Sequence, residues 1–100
     1  MRQRLKPNIR KQQILDVAIV LAQEVGYANI RRDVLATKAG VADALVSRYW
    51  GTMPQLKNSI VKFAIANNDH VILMQAIAAN DPLVKSLSTS AKREVFAANV

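Results

Sequence analysis

One hundred residues, 51% of them hydrophobic, suffice for a single folded domain, and no apolar run reaches the roughly 18 residues that span a bilayer. Cysteine is absent and His70 is the only histidine, which excludes a disulfide framework, a thiolate metal site and a Cys-His nucleophile pair. The net charge of +7 is uneven: residues 1–62 hold 11 Lys and Arg against 4 Asp and Glu, and residues 63–100 hold 3 against 3, a segregation that favours a polyanionic partner.

Residues 1–8 read as a basic arm, with Arg2, Arg4 and Lys6 ahead of Pro7. Helical periodicity follows, Ile14, Ala18, Leu21, Ala22 and Val25 recurring at three- and four-residue steps. Gly26 is expected to stop this helix as a left-handed cap, with Tyr27 packing into the core. Asn29 is the expected N-cap of a second helix over 30–38, whose Val34 and Leu35 face inward. Gly40 permits a tight turn into a third helix over 42–50. Gly51 breaks that helix, and Thr52 caps a fourth with Pro54 in its first turn.

The fourth helix reads as long, since Leu56, Ile60, Phe63 and Ala64 continue the stripe and no breaker precedes Asn80. The polar stretch Asn67-Asn68-Asp69-His70 either lies on it or interrupts it. Val71 to Ala78 is more apolar than one half-buried face requires. Asp81-Pro82 reads as an N-cap and first residue of a short segment, and Ser88-Thr89-Ser90 opens a last helix. No strand pattern competes. The expected fold is all-α: a helix-turn-helix, three-helix core within 9–62, then a long fourth helix and short C-terminal helices, residues 63–100 forming an extension suited to dimerisation.

In a helix-turn-helix the second helix of the pair enters the major groove. With Val46 and Trp50 turned inward, Asp43, Ala44, Ser47 and Arg48 face out, Leu45 lies at the margin, and the small Ala42 and Ala44 allow close approach to base edges. Arg48 can donate two bonds to guanine O6 and N7, Asp43 can accept from cytosine, Ser47 suits base or phosphate, and Leu45 a thymine methyl. Each has a blander reading, since Arg48 and Asp43 also complement the dipole at their ends of the helix. Arg31 and Arg32, expected in the first turn of the second helix, oppose its dipole at a cost of a few tenths to about 1 kcal/mol, which phosphate contact would offset. Arg2, Arg4, Lys6, Arg10 and Lys11 can track the backbone or the minor groove, or simply be solvated. Lys57 and Lys62 either join the contact or solubilise a helix face. With seven scattered acidic residues and no glycine-rich phosphate loop, neither an enzyme, a cofactor nor a metal site is expected.

The order Ile14-Leu15, Ala18, Leu21, Gly26-Tyr27, Leu35-Ala36, Ala39-Gly40-Val41, Val46, Tyr49-Trp50 and Leu56 resembles the N-terminal DNA-binding domain of TetR-family transcriptional regulators. The likeness runs over residues 10–62 without an inserted or deleted residue. It implies dimers that bind palindromic operators and repress transcription, with Arg31, Lys38, residues 42–48 and Tyr49 on the DNA face. The chain departs from the family pattern at Arg31, Ala42, Ser47 and Met53, where a threonine, a serine, a tyrosine and a lysine are usual. Only 38 residues follow position 62, too few for one subunit to enclose a typical effector pocket, so no small-molecule inducer is expected.

Val71 to Ala78, with Leu83, Leu87, Val95 and Phe96, either form the homodimer surface or close the monomer core. The expected setting is the cytoplasm. Two alternatives stay open: an architectural or plasmid or phage accessory DNA binder with little sequence preference, and a protein-interaction antirepressor whose helix-turn-helix no longer binds duplex.

Overall fold

The computed structural model describes residues 6–85, 87 and 89–98. Helix α1 spans Pro7–Val25 and begins on Pro7, where a missing N–H leaves no bond unmade. Lys6 is its N-cap, so helix already occupies positions expected in the arm; Arg2 and Arg4 lie outside the described residues. Ile14, Leu15, Ala18, Ile19, Leu21 and Ala22 are buried along one side of α1. A 3-10 turn, Tyr27–Asn29, leads to α2 (Arg32–Ala39), α3 (Asp43–Trp50), α4 (Met53–Asn67) and α5 (His70–Ala78). A second 3-10 turn, Pro82–Val84, precedes α6 (Thr89–Ala98), and no strand occurs among the described residues. The fold is all-α.

Helices α1, α2 and α3 pack on one another, α4 crosses α1 and α3, and α5 folds back against α4 and α1 before α6 covers it. The first departure from expectation is at Asn29. Its Nδ2 donates to the Val25 carbonyl (2.7 Å), closing the end of α1 rather than opening α2. Arg31 therefore becomes the N-cap of α2, without a side-chain cap bond. Leu35 and Ala36 are buried in the core and Ala39 packs partly buried against it. Val34, on the opposite side with Lys38 one turn on, stays 37% exposed rather than facing inward. Gly26 also differs, lying at φ 94° and ψ 134° instead of in the left-handed helical region.

The α2–α3 turn is a Schellman motif. Gly40 is left-handed (φ 71°, ψ 34°), the Val41 N–H reaches the Ala36 carbonyl (3.0 Å) and the Gly40 N–H the Thr37 carbonyl (3.2 Å). A Cβ at Gly40 would meet nothing within 4 Å, so the cost of Gly40→Ala is backbone conformation alone. We expect about 1–2 kcal/mol from urea denaturation; a loss below a few tenths would show that the turn does not hold this geometry.

Helix α4 opens on the expected Thr52 cap, completed as a capping box: Thr52 Oγ1 accepts from the Gln55 N–H and Gln55 Oε1 from the Thr52 N–H. It does not run on to Asn80. Asn68 takes the left-handed conformation (φ 54°), and the Asp69 N–H bonds the Ala64 carbonyl (3.0 Å). The same device recurs twelve residues later, where Asn80 is left-handed (φ 56°) and the Asp81 N–H bonds the Ala76 carbonyl (2.9 Å). Each aspartate then caps the next helical segment, Asp69 Oδ1 accepting from the Ile72 N–H (3.2 Å) and Asp81 Oδ1 from the Leu83 N–H (2.9 Å).

The resulting reversal explains the apolar surplus. Ile72, Leu73, Ala76, Val84 and Val95 are buried within the monomer, and Met74, Ile77, Leu83 and Leu87 pack partly buried against them. Of the two roles open to these residues, most take the second and close the monomer core; Val71 alone among the large apolar side chains of α5 remains exposed, at 43%. The Phe96 side chain lies outside the described residues.

A polar seam fixes α5 to the end of α1. Asp69 Oδ2 accepts from Gln23 Nε2 (2.7 Å). Gln75 Nε2 donates to the Ala22 carbonyl (3.0 Å), and its Oε1 accepts the Tyr27 N–H (2.9 Å). The Tyr27 hydroxyl donates to Asp81 Oδ2 (2.9 Å). Burial, then that hydrogen bond and the charge of Asp81, push the Tyr27 phenol up from 10 to about 12. A raised pKa means that the folded state holds this proton more tightly, so the contribution is complete below pH 10 and is lost as pH rises from 10 to 12. Urea midpoints should fall across that interval, and Tyr27→Phe should fall less steeply; identical slopes would contradict the assignment.

Candidate nucleic-acid interface

Helix α3 is held from below and open above. Val46 is buried, Tyr49 and Trp50 pack half-buried against the core, and the Gly51 N–H closes the helix on the Ser47 carbonyl (2.8 Å). Ala42, as N-cap, provides no side-chain acceptor. The Leu45 N–H bonds the Ala42 carbonyl (2.9 Å), and no side chain caps the first turn. Asp43, Ala44 and Arg48 are exposed, while Leu45 and Ser47 are half-buried at the edges of the same face. The Arg48 side chain forms no hydrogen bond or ion pair with a described residue, and neither does that of Lys38 in the last turn of α2. The expected α3 positions therefore share one helix face, except that Tyr49 packs partly against the core, and Lys38 is exposed on α2.

The other basic residues divide. Lys6 is exposed at the start of α1, and Arg10 Nη1 donates to Gln13 Oε1 (3.1 Å). Arg31 sits outside the first turn of α2 and pairs with Asp33 (3.2 Å), both side chains well exposed, an arrangement of small energetic weight. Of the two arginines, only Arg32 opposes the dipole from within α2, as its first residue; it is half-buried, with its Nε buried and unpartnered. Lys57 belongs partly to the fold, for its Nζ donates to the Ala28 carbonyl (3.0 Å).

Sequence reasoning missed how Lys11 and Trp50 meet. The Trp50 indole N–H donates to the Lys11 carbonyl (2.9 Å), and the Lys11 ammonium lies over the same ring, 4.7 Å from its centroid. The only sequence signal was Trp50 itself, since a packed indole needs an acceptor for its N–H. Which carbonyl it finds, 39 residues away, is not periodic information.

Depressions on α1 (Asn8, Ile9, Gln12, Gln13, Asp16) and on α2 (Asp33, Val34, Thr37, Lys38) are each lined by a single helix and open to solvent. Among the described residues, no three His, Asp or Glu side chains cluster to hold a metal ion, and no helix is long and apolar enough to cross a membrane.

Fold and surface together define an all-α protein with a helix-turn-helix unit whose outer face is polar and uncovered. Comparison with protein-family models, with curated proteins and with solved structures finds no match to this chain.

Proposed function

We propose that this chain is a sequence-specific duplex-DNA-binding transcriptional regulator, a cytoplasmic dimeric repressor that catalyses no reaction. The observation that carries the reading is the α3 face. Arg48 is exposed and unpartnered beside the exposed Ala44 and Asp43 and the edge residue Ser47, on a helix fixed by Val46 and a Schellman turn. A free guanidinium flanked by small side chains is what recognition of a base edge requires. The basic excess of residues 1–62 and the resemblance of residues 10–62 to TetR-family DNA-binding domains support the same reading.

A unit this small reads a long site best as a symmetric pair, with half-sites about one helical turn apart. Val71 and Ala78, two turns apart and exposed on α5, are the part of the C-terminal extension proposed to meet a second copy. Selection of bound duplexes from a random pool, at low and near-physiological salt, tests the proposal. An inverted repeat that survives the higher salt supports it. Binding without a motif that collapses with salt replaces it with an architectural role.

A further inference from the structure

The contact between Lys11 and Trp50 goes beyond packing. The indole is fixed at one edge by its bond to the Lys11 carbonyl, and its face receives the ammonium of the same residue. Trp50 is the last residue of α3 and Lys11 lies in the second turn of α1, so this closed loop joins the end of the exposed helix to the basic end of α1. Lys11 is exposed, and its ammonium has no hydrogen-bond or ion-pair partner among the described residues. One face of the ammonium is taken by the ring, and its N–H donors remain for an outside acceptor. Lys6 and Arg10 stand on the same end of α1. No Asp or Glu precedes Asp16, and Gln12 Nε2 already donates to that carboxylate (2.9 Å).

From this geometry we infer that Lys11 is a phosphate-gripping residue for the duplex read by α3, and that Trp50 is its positioning residue. The inference rests on the proposed DNA-binding function. A free surface lysine loses its rotamer freedom when it grips a phosphate. Here the ring holds the ammonium beside the end of α3 beforehand, so less freedom is lost on binding. A phosphate contact carries no sequence information, so Lys11 sets affinity and register, while base choice stays with the α3 face.

The test is a salt titration of the full chain on the selected duplex and on a random duplex, with wild type, Lys11→Met, Trp50→Phe and the double variant. Lys11→Met keeps an apolar stem against the ring and removes the charge. It should lower the magnitude of the slope of log affinity against log salt by about 0.9, so that raising salt fourfold costs about 3.5-fold less than in wild type. The ratio of selected to random affinity should not change. Trp50→Phe should keep the slope and weaken binding a few-fold, and should add nothing once Lys11 is methionine. An unchanged slope in Lys11→Met overturns the inference. So does a Trp50→Phe loss of equal size with or without Lys11, which marks a purely structural tryptophan. Wild type that binds neither duplex at low salt overturns the DNA-binding reading itself, a result distinct from a clamp that fails on a protein that binds.

Discussion

Replacing Tyr27 by alanine is expected to destabilise the protein by about 3–5 kcal/mol, the range for deleting a buried aromatic ring. For a domain of this size that is a large share of a total of roughly 5–15 kcal/mol. Tyr27 is 6% exposed and sits where α1 ends and α2 is about to begin. Its ring fills core, its hydroxyl binds Asp81, and its backbone N–H binds Gln75. Removing the ring leaves a cavity beneath the chain that aims α2 and frees an Asp81 oxygen from its partner. Tyr27→Phe separates the two contributions. It keeps the ring and loses only the bond to a charged acceptor, for about 1.5–3 kcal/mol. Urea denaturation with an unchanged m-value reads both numbers. Alanine within about 1 kcal/mol of wild type would contradict the place given to Tyr27 in the core.

Arg48→Ala should have the opposite profile, leaving the fold intact and removing discrimination. The side chain is exposed and bonded to nothing among the described residues, so the stability change should stay within about 0.5 kcal/mol. A bidentate contact to guanine is worth about 1–3 kcal/mol of discrimination, which predicts a roughly 5- to 150-fold loss on the selected site. Random duplex should lose far less. Equal losses on both duplexes would make Arg48 a phosphate contact and move base reading elsewhere on α3.

Helix content and the α2–α3 unit were legible because they depend on local rules. Glycine at the turn, Thr52 with Pro54 in the first turn after it, and Pro82 after Asp81 are short-range signals, and each element starts or stops where they fall. The path of the chain after Asn67 was not. Asn68 tolerates either a helical or a left-handed conformation, and only the bonds made by the next residue, Asp69, to Ile72 and Gln23 decide between them. For the same reason Val71 to Ala78 could not be divided into core and surface: the reversal at Asn68 determines what α5 is buried against. Asn29 failed differently, because a side chain that suits an N-cap suits a helix C-terminus equally well when a carbonyl such as that of Val25 is within reach. On the candidate face, Asp43, Ala44 and Arg48 lie where helical spacing puts them, whereas the Arg31–Asp33 pair and the Lys57–Ala28 bond depend on the turn between Gly26 and Arg32.

The most direct test of the α3 face as the DNA-reading surface is an amide-resolved NMR titration of the full chain with the selected duplex. The account predicts perturbations concentrated at Lys38 and residues 42–48, with a second group at the start of α1 and little change between residues 72 and 84. Perturbations confined to α5 and α6, with the α3 amides unmoved by a duplex that binds, would contradict it.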